Sequence, residues 1–186
     1  MTDDLEQRLA QPPVASLNLD ALRAGLAQRA ADDGLLDVAY GTYDSPLGPL
    51  TLVVTPRGLA RLSYEHEAVD EQLDEIAARI SPRILHAPAM TDAVRRQLDD
   101  YFGGVRHDFD VTVDWRLVRG FAGEVLKATA RIPFGAVSSY RAVATEAGSP
   151  NAYRAAGNAL GSNPIPIVVP CHRKRFLLRL EGVLQA

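Results

Sequence analysis

Ser139-Tyr140-Arg141-Ala142-Val143-Ala144-Thr145-Glu146-Ala147-Gly148-Ser149-Pro150-Asn151-Ala152-Tyr153-Arg154-Ala155-Ala156-Gly157-Asn158-Ala159-Leu160 reads as two short helices around a break. The first begins at Ser138 or Ser139 and runs to about Ala147. Gly148 then supplies a stop, Ser149 a cap and Pro150 a first helical position, which starts a second helix to about Leu160. Two short helices joined by a tight Gly-containing turn have the outline of a helix-turn-helix. The second helix sets small residues (Ala152, Ala155, Ala156, Gly157, Ala159) around one cation, Arg154. That face could let the backbone approach a DNA groove, with Arg154 reaching among the bases. Equally, the Ala and Gly residues could pack a neighbouring helix and leave Arg154 in solvent. Sequence alone keeps both readings.

Working outward, Gly120 to Ala130 forms a further helix, ended by Ile132-Pro133-Phe134-Gly135, so the chain past Trp115 is mostly helical. Before it the character changes. Leu36–Tyr43, Leu50–Val54 and Leu59–Tyr64 are short runs with β-branched and aromatic residues, punctuated by Ser45-Pro46-Leu47-Gly48-Pro49 and Thr55-Pro56-Arg57-Gly58. They predict an antiparallel meander. Val69 to Ile80 predicts an amphipathic helix, Arg83–His86 a strand, and Thr91 to Phe102 a helix stopped by Gly103-Gly104. The fold class is therefore α+β. Residues 36–114 form a small domain with the meander, and residues 115–186 a helical domain. Residues 1–35 are an extension carrying a helix from Leu19 to about Ala31, capped by Asn18, with Leu17 and Leu22 spaced for a hydrophobic staple. Trp115 and Phe121 are expected in the helical core, and Tyr101 and Phe109 between the halves.

Net charge is −3 over 186 residues, and this hides a split. Residues 1–114 hold ten Arg and no Lys against twenty acidic residues, whereas residues 115–186 hold eight Arg and two Lys against three Glu. A basic second half suggests a polyanion as its partner, or a basic face lying against the acidic half.

Downstream comes Asn163-Pro164-Ile165-Pro166-Ile167-Val168-Val169-Pro170-Cys171-His172-Arg173. Prolines among branched apolar residues predict an extended, buried approach to Cys171. Cys171 is the only cysteine, which excludes an intramolecular disulfide and a cysteine-cluster zinc site. A lone cysteine is ordinarily a small buried hydrophobe. A His and Arg beside it are the groups expected to generate or stabilise a thiolate. His66, His86 and His107 are scattered and expected at the surface.

Ile132-Pro133-Phe134-Gly135, Ser139-Tyr140, Arg154-Ala155-Ala156-Gly157-Asn158-Ala159, Asn163-Pro164 and Pro170-Cys171-His172-Arg173 occur in the order found in the O6-alkylguanine-DNA alkyltransferases. Residues 36–186 resemble that family of methylated-DNA–protein-cysteine methyltransferases. The resemblance implies a ribonuclease H-like N-terminal domain followed by a winged helix-turn-helix-like DNA-binding domain. It implies Cys171 as the alkyl acceptor, His172 as its base through a water, Glu181 as the acid orienting that histidine, and Asn163 as support for the turn. Tyr140 would press on the nucleotide phosphate and Arg154 would fill the stack left by the flipped base, with Ala152, Gly157 and Arg173 also at the DNA. The substrate implied is duplex DNA holding O6-alkylguanine, with O4-alkylthymine left open as a second. A base inside a duplex cannot present its O6 substituent to a buried thiol, so flipping is required. The thioether product cannot be hydrolysed by a neighbouring group, so each molecule reacts once. No cofactor and no metal are expected.

The family's Gly-rich loop after Pro-Cys-His-Arg, one wall of the guanine pocket, has no counterpart: no Gly lies between Cys171 and Gly182. This keeps open a second reading, a DNA-binding, base-flipping protein without efficient transfer. A cysteine hydrolase built on Cys171 and His172 is the third. No apolar run approaches the ~20 residues needed to span a bilayer. The acidic N-terminus does not read as a signal peptide. A cytoplasmic monomer is the expectation.

Overall fold

The computed structural model describes residues 18–64 and 68–171. Strands β1 (Val38–Ser45), β2 (Gly48–Thr55) and β3 (Gly58–Tyr64) make the predicted antiparallel meander. Its turns are closed by hydroxyls: Ser45 Oγ accepts from the Leu47 N–H at 3.1 Å and Thr55 Oγ1 from the Arg57 N–H at 3.1 Å. Strand β4 (Ile84–His86) joins the free edge of β1 in parallel, giving the order β3-β2-β1-β4. Helix α1 (Leu19–Asp32) precedes the sheet, and Asn18 Oδ1 caps it by accepting from the Ala21 N–H. Leu17, the other half of the expected staple, lies outside the described residues. Helix α1 turns Ala27 into the molecule and leaves Leu19, Leu22 and Leu26 more than half exposed.

Helix α2 (Val69–Arg79) covers one face of the sheet through Ile76, which packs with Val38, Val53, Ala60 and Leu117. Helix α3 (Asp92–Phe102) covers the other with Val94, Leu98 and Tyr101, spaced for one helical face. Its C-terminus is a Schellman turn: the Gly104 N–H bonds to the Tyr101 C=O and the Val105 N–H to the Asp100 C=O. Gly104, at φ 73°, supplies the left-handed residue.

The segment after α3 returns along β3 before entering the helical half. Leu59 N–H donates to Thr112 C=O and Asp114 N–H to Leu59 C=O, so residues 112–114 extend the sheet by an isolated bridge. Gly58 makes this possible, since a Cβ there would lie 2.0 Å from the Thr112 oxygen. Asp114 then ties the segment down, accepting from Thr55 Oγ1 at 2.7 Å and from the Arg116 guanidinium. Burial pushes this carboxyl up, but the bonds from Arg116 and Thr55 outweigh burial and hold it below the usual carboxylate range.

Helices α4 (Gly120–Thr129), α5 (Tyr140–Glu146) and α6 (Tyr153–Gly161) follow, and the loop of residues 162–171 comes after them. Val125, Ala128, Val143, Ala144, Ala156 and Ala159 are buried where the three meet. Ser139, one of the two expected start residues, caps α5 by accepting from the Ala142 N–H. The reading of Ser149-Pro150 as a cap and first helical residue is corrected. Ala152 N–H bonds back to Ser149 C=O at 2.9 Å, so Pro150 sits inside a turn and α6 starts three residues later. Ala152 is the residue before the helix instead of its first turn.

The main core crosses between the halves. Tyr43, Leu50, Leu52, Leu59 and Leu62 of the sheet and Leu98 and Tyr101 of α3 pack with Leu126 of α4 and with Ile165, Ile167 and Val169. Trp115 packs against this shared core and not against the helical cluster, where Phe121 lies. Tyr101 does sit between the halves, with Phe109 at 5.2 Å and Phe134 at 6.2 Å between ring centroids.

Candidate active site

Cys171 ends a loop that leaves α6 at Ser162 and folds back into the shared core. Alternate residues Ile165, Ile167 and Val169 are almost fully buried, which is the period of an extended segment. The expected extended approach is nevertheless corrected, because the segment closes on itself. Val169 N–H donates to Ile165 C=O at 3.0 Å and Cys171 N–H to Val169 C=O at 2.8 Å. The cause is Asn163. Its Oδ1 accepts from the Ile165 N–H at 3.0 Å while its Nδ2 donates to the Val169 C=O at 3.1 Å, so one side chain ties both ends of the loop.

The second hydrogen of the same amide reaches the thiol: Asn163 Nδ2 lies 3.0 Å from Cys171 Sγ. An N–H donor on sulfur stabilises negative charge there. The half-buried sulfur is therefore positioned and polarised by the residue that shapes its loop.

Closing so tight a loop forces Ile167 to φ 77°, the single non-glycine residue at positive φ among the described residues. A β-branched residue in this region costs about 1–3 kcal/mol. Burial of the Ile167 side chain, 2% exposed, offsets it, since burying such a side chain is worth about 1.5–3 kcal/mol. Sequence reading missed this strain, and β-branching argues against it.

Tyr140 opens α5, is 46% exposed, and lies against the backbone of α6. A Cβ on Gly157 would sit 3.4 Å from Tyr140 Cε2, within van der Waals contact, so the ring packs closely on this part of α6. The packing reading of the small-residue helix is what the structure shows. Ala156 and Ala159 pack inward, whereas Arg154 and Ala155 are exposed. Arg154 lies over the Tyr153 ring, 5.6 Å from its centroid, and Arg141 of α5 lies over the same ring at 5.2 Å. Tyr153 thus gathers two cations, a role sequence reading missed because its partner is twelve residues away. The structure unites Asn163 with Cys171 and Tyr140 with Gly157, and puts Ala152 and Arg154 at the start of α6. His172, Arg173 and Glu181 lie outside the described residues. His86 and His107 are exposed as expected, His107 stacked on Phe134 at 4.2 Å. No group of three His, Cys, Asp or Glu residues suited to a metal ion occurs among the described residues.

Residues 38–115 match the ribonuclease-like domain of 6-O-methylguanine DNA methyltransferase, and residues 120–175 match the DNA binding domain of the same family. The chain belongs to the 6-O-methylguanine DNA methyltransferase family. Among its members, the methylated-DNA–protein-cysteine methyltransferase of Mycobacterium tuberculosis is 38% identical over 139 residues, 73% of this chain and 77% of that protein. The protein of the same name from Methanosarcina barkeri is 33% identical over 159 residues, 76% of this chain and 96% of the relative. The crystal structure of the M. tuberculosis O6-methylguanine methyltransferase superposes with a TM-score of 0.66 at 36% identity, covering 78% of this chain and 93% of that one. A crystal structure of the M. tuberculosis protein in complex with DNA gives 0.64 at 35% identity, with the same coverage. For a member of this family, the expected α+β architecture of a sheet domain followed by a helical one is what the structure shows. Its one cysteine, Cys171, falls inside the matched DNA-binding segment.

Proposed function

We propose that this chain repairs duplex DNA by moving the alkyl group of O6-alkylguanine to Cys171 Sγ in one irreversible step after base flipping. The observation that carries this reading is the sole cysteine of a methyltransferase-family chain, held and polarised by Asn163 at 3.0 Å. The sulfur forms a bond to the alkyl carbon as the carbon–O6 bond breaks. His172 takes the thiol proton through water, the guanine leaving group, still part of the strand, gains a proton from solvent, and the proton on His172 later returns to solvent. Glu181 orients His172, and both roles rest on the sequence resemblance. Tyr140 presses on the phosphate of the target nucleotide, and Arg154 leaves the Tyr153 ring to fill the vacated stack. Ala152 and Gly157 keep α6 slim enough for a groove, and Arg173 adds a phosphate contact. In this division, residues 36–114 are the scaffold and residues 115–186 carry the DNA and the acceptor. Activity as a cytoplasmic monomer completes the reading. Among the described residues, no helix is long and apolar enough to cross a membrane.

A duplex with one radiolabelled O6-methylguanine tests it. Label should appear on the peptide holding Cys171, at most one per molecule, and Cys171→Ser should bind the duplex without taking label. Duplex binding by the unaltered chain with no label would defeat the transfer claim and favour a base-flipping protein that does not react.

A further inference from the structure

Where α4 begins, a cleft of about 540 Å³ opens between the sheet half and the helical half. Arg61 of β3 and Arg79 at the end of α2 line one side, and Arg119, the residue before α4, lines the other. Glu75 is the one carboxylate on this lining, and both Arg61 and Arg79 bond to it. Arg119 is exposed and has no hydrogen-bond or ion-pair partner among the described residues. Three guanidiniums against one carboxylate leave the cleft with an excess of two positive charges.

Two further features point the same way. Arg61 Nε is buried without any hydrogen-bond partner among the described residues, although its Nη2 meets Glu75. Buried donors are almost always satisfied, so this guanidinium keeps a donor that Glu75 does not use. The ten-residue helix α4 also begins without a side-chain cap, and Ala122 in its first turn lines the cleft. Uncapped N–H groups at a helix start favour an anion.

We infer that this cleft between β3, α2 and the start of α4 binds a phosphate group, as free phosphate or as a phosphodiester of DNA. Guanidinium forks suit tetrahedral phosphate oxygens, which accept from several directions at once. Arg61, Arg79 and Arg119 have no part in the transfer to Cys171, although Ser162 and Asn163 of the acceptor loop also line the cleft. It lies beside the loop, because Leu62, next to Arg61, donates its N–H to Pro164 C=O at 2.8 Å. A bound phosphate therefore bridges the two halves where the acceptor loop departs.

Two measurements on the full chain test this. In the first, melting temperature is followed with rising inorganic phosphate against chloride at equal ionic strength. Phosphate at ten times its Kd should raise Tm by about 3 °C. In Arg119→Gln and Arg79→Gln, the phosphate concentration giving half this rise should increase at least tenfold, while both variants still take label on Cys171. In the second, the salt dependence of duplex binding is compared. A slope reduced by about one in Arg119→Gln identifies a DNA phosphodiester as the occupant. An unchanged slope, with the phosphate-specific Tm rise lost, identifies free phosphate. If phosphate and chloride act alike and the slope is unchanged, no phosphate site exists here.

Discussion

The core shared by the two halves and the cluster joining the three helices of the second half are built from different residues. The shared core beneath the acceptor loop uses Tyr43, Leu50, Leu52, Leu98, Tyr101 and Ile165, large side chains that each bury much area. The cluster joining α4, α5 and α6 buries Ala128, Ala144, Ala156 and Ala159 with two Val, while its larger members, Phe121, Ile132, Tyr153 and Leu160, are only partly buried. Burial stabilises roughly in proportion to area. The proposed nucleophile is thus anchored among the larger buried side chains, and the helices proposed to meet DNA are joined through the smaller ones. That division suits a site whose sulfur must stay fixed while the surrounding surface adjusts to a bent duplex.

The largest effects should come from the shared core. Ile165→Ala, at a position 1% exposed, should cost about 2–5 kcal/mol. Ala156→Gly in the other cluster should cost about 1 kcal/mol. Urea unfolding of the two variants measures the contrast, and equal losses would remove it. Next comes Asn163→Ala, which strands the Ile165 N–H and the Val169 C=O and should cost about 1–3 kcal/mol. It should also slow alkyl transfer about tenfold, corresponding to about 1.4 kcal/mol of lost stabilisation at sulfur. Single-turnover labelling reads the rate, and Tm reads the stability.

Asp114 sharpens the comparison from the side of pH. Its folded-state carboxyl titrates lower than in the unfolded chain, so the stability it adds is full above the unfolded value and is lost as pH falls through the folded one. Asp114→Asn should therefore flatten the fall in urea midpoint below about pH 4. An acid limb as steep as in the unaltered protein would show that other carboxylates dominate. A smaller effect concerns Ile167. Glycine relaxes at φ 77°, so Ile167→Gly should cost about 1–2 kcal/mol less than Ile165→Gly. The smallest is Gly157→Ala, where the new methyl meets the Tyr140 ring at 3.4 Å and helix propensity improves. Stability should rise by up to about 1 kcal/mol, read as a small upward shift in Tm.

Most of the fold was legible because its signals are local. Asn18 and Ser139 cap their helices, Gly104 closes α3, and two hydroxyl-led turns set the meander. Signals failed where one local pattern serves two outcomes, or where a side chain several residues away decides. Ser149-Pro150 reads like a helix start, yet it is spent on a turn that delays α6. The prolines before Cys171 suggested an extended run, and one asparagine side chain folded it into a loop. At the site, Cys171 and Asn163 were legible from motif order, but the amide-to-sulfur bond was not. The basic cleft was invisible in sequence because Arg61, Arg79 and Arg119 are brought together only by the fold.

Gly58 carries a wider consequence. The Thr112 oxygen occupies the place where any side chain at position 58 would begin. A chain of this architecture with a larger residue there must route its crossing between the halves away from β3. The identity of one turn residue therefore reports, from sequence alone, whether a related protein keeps its two halves stitched through the sheet.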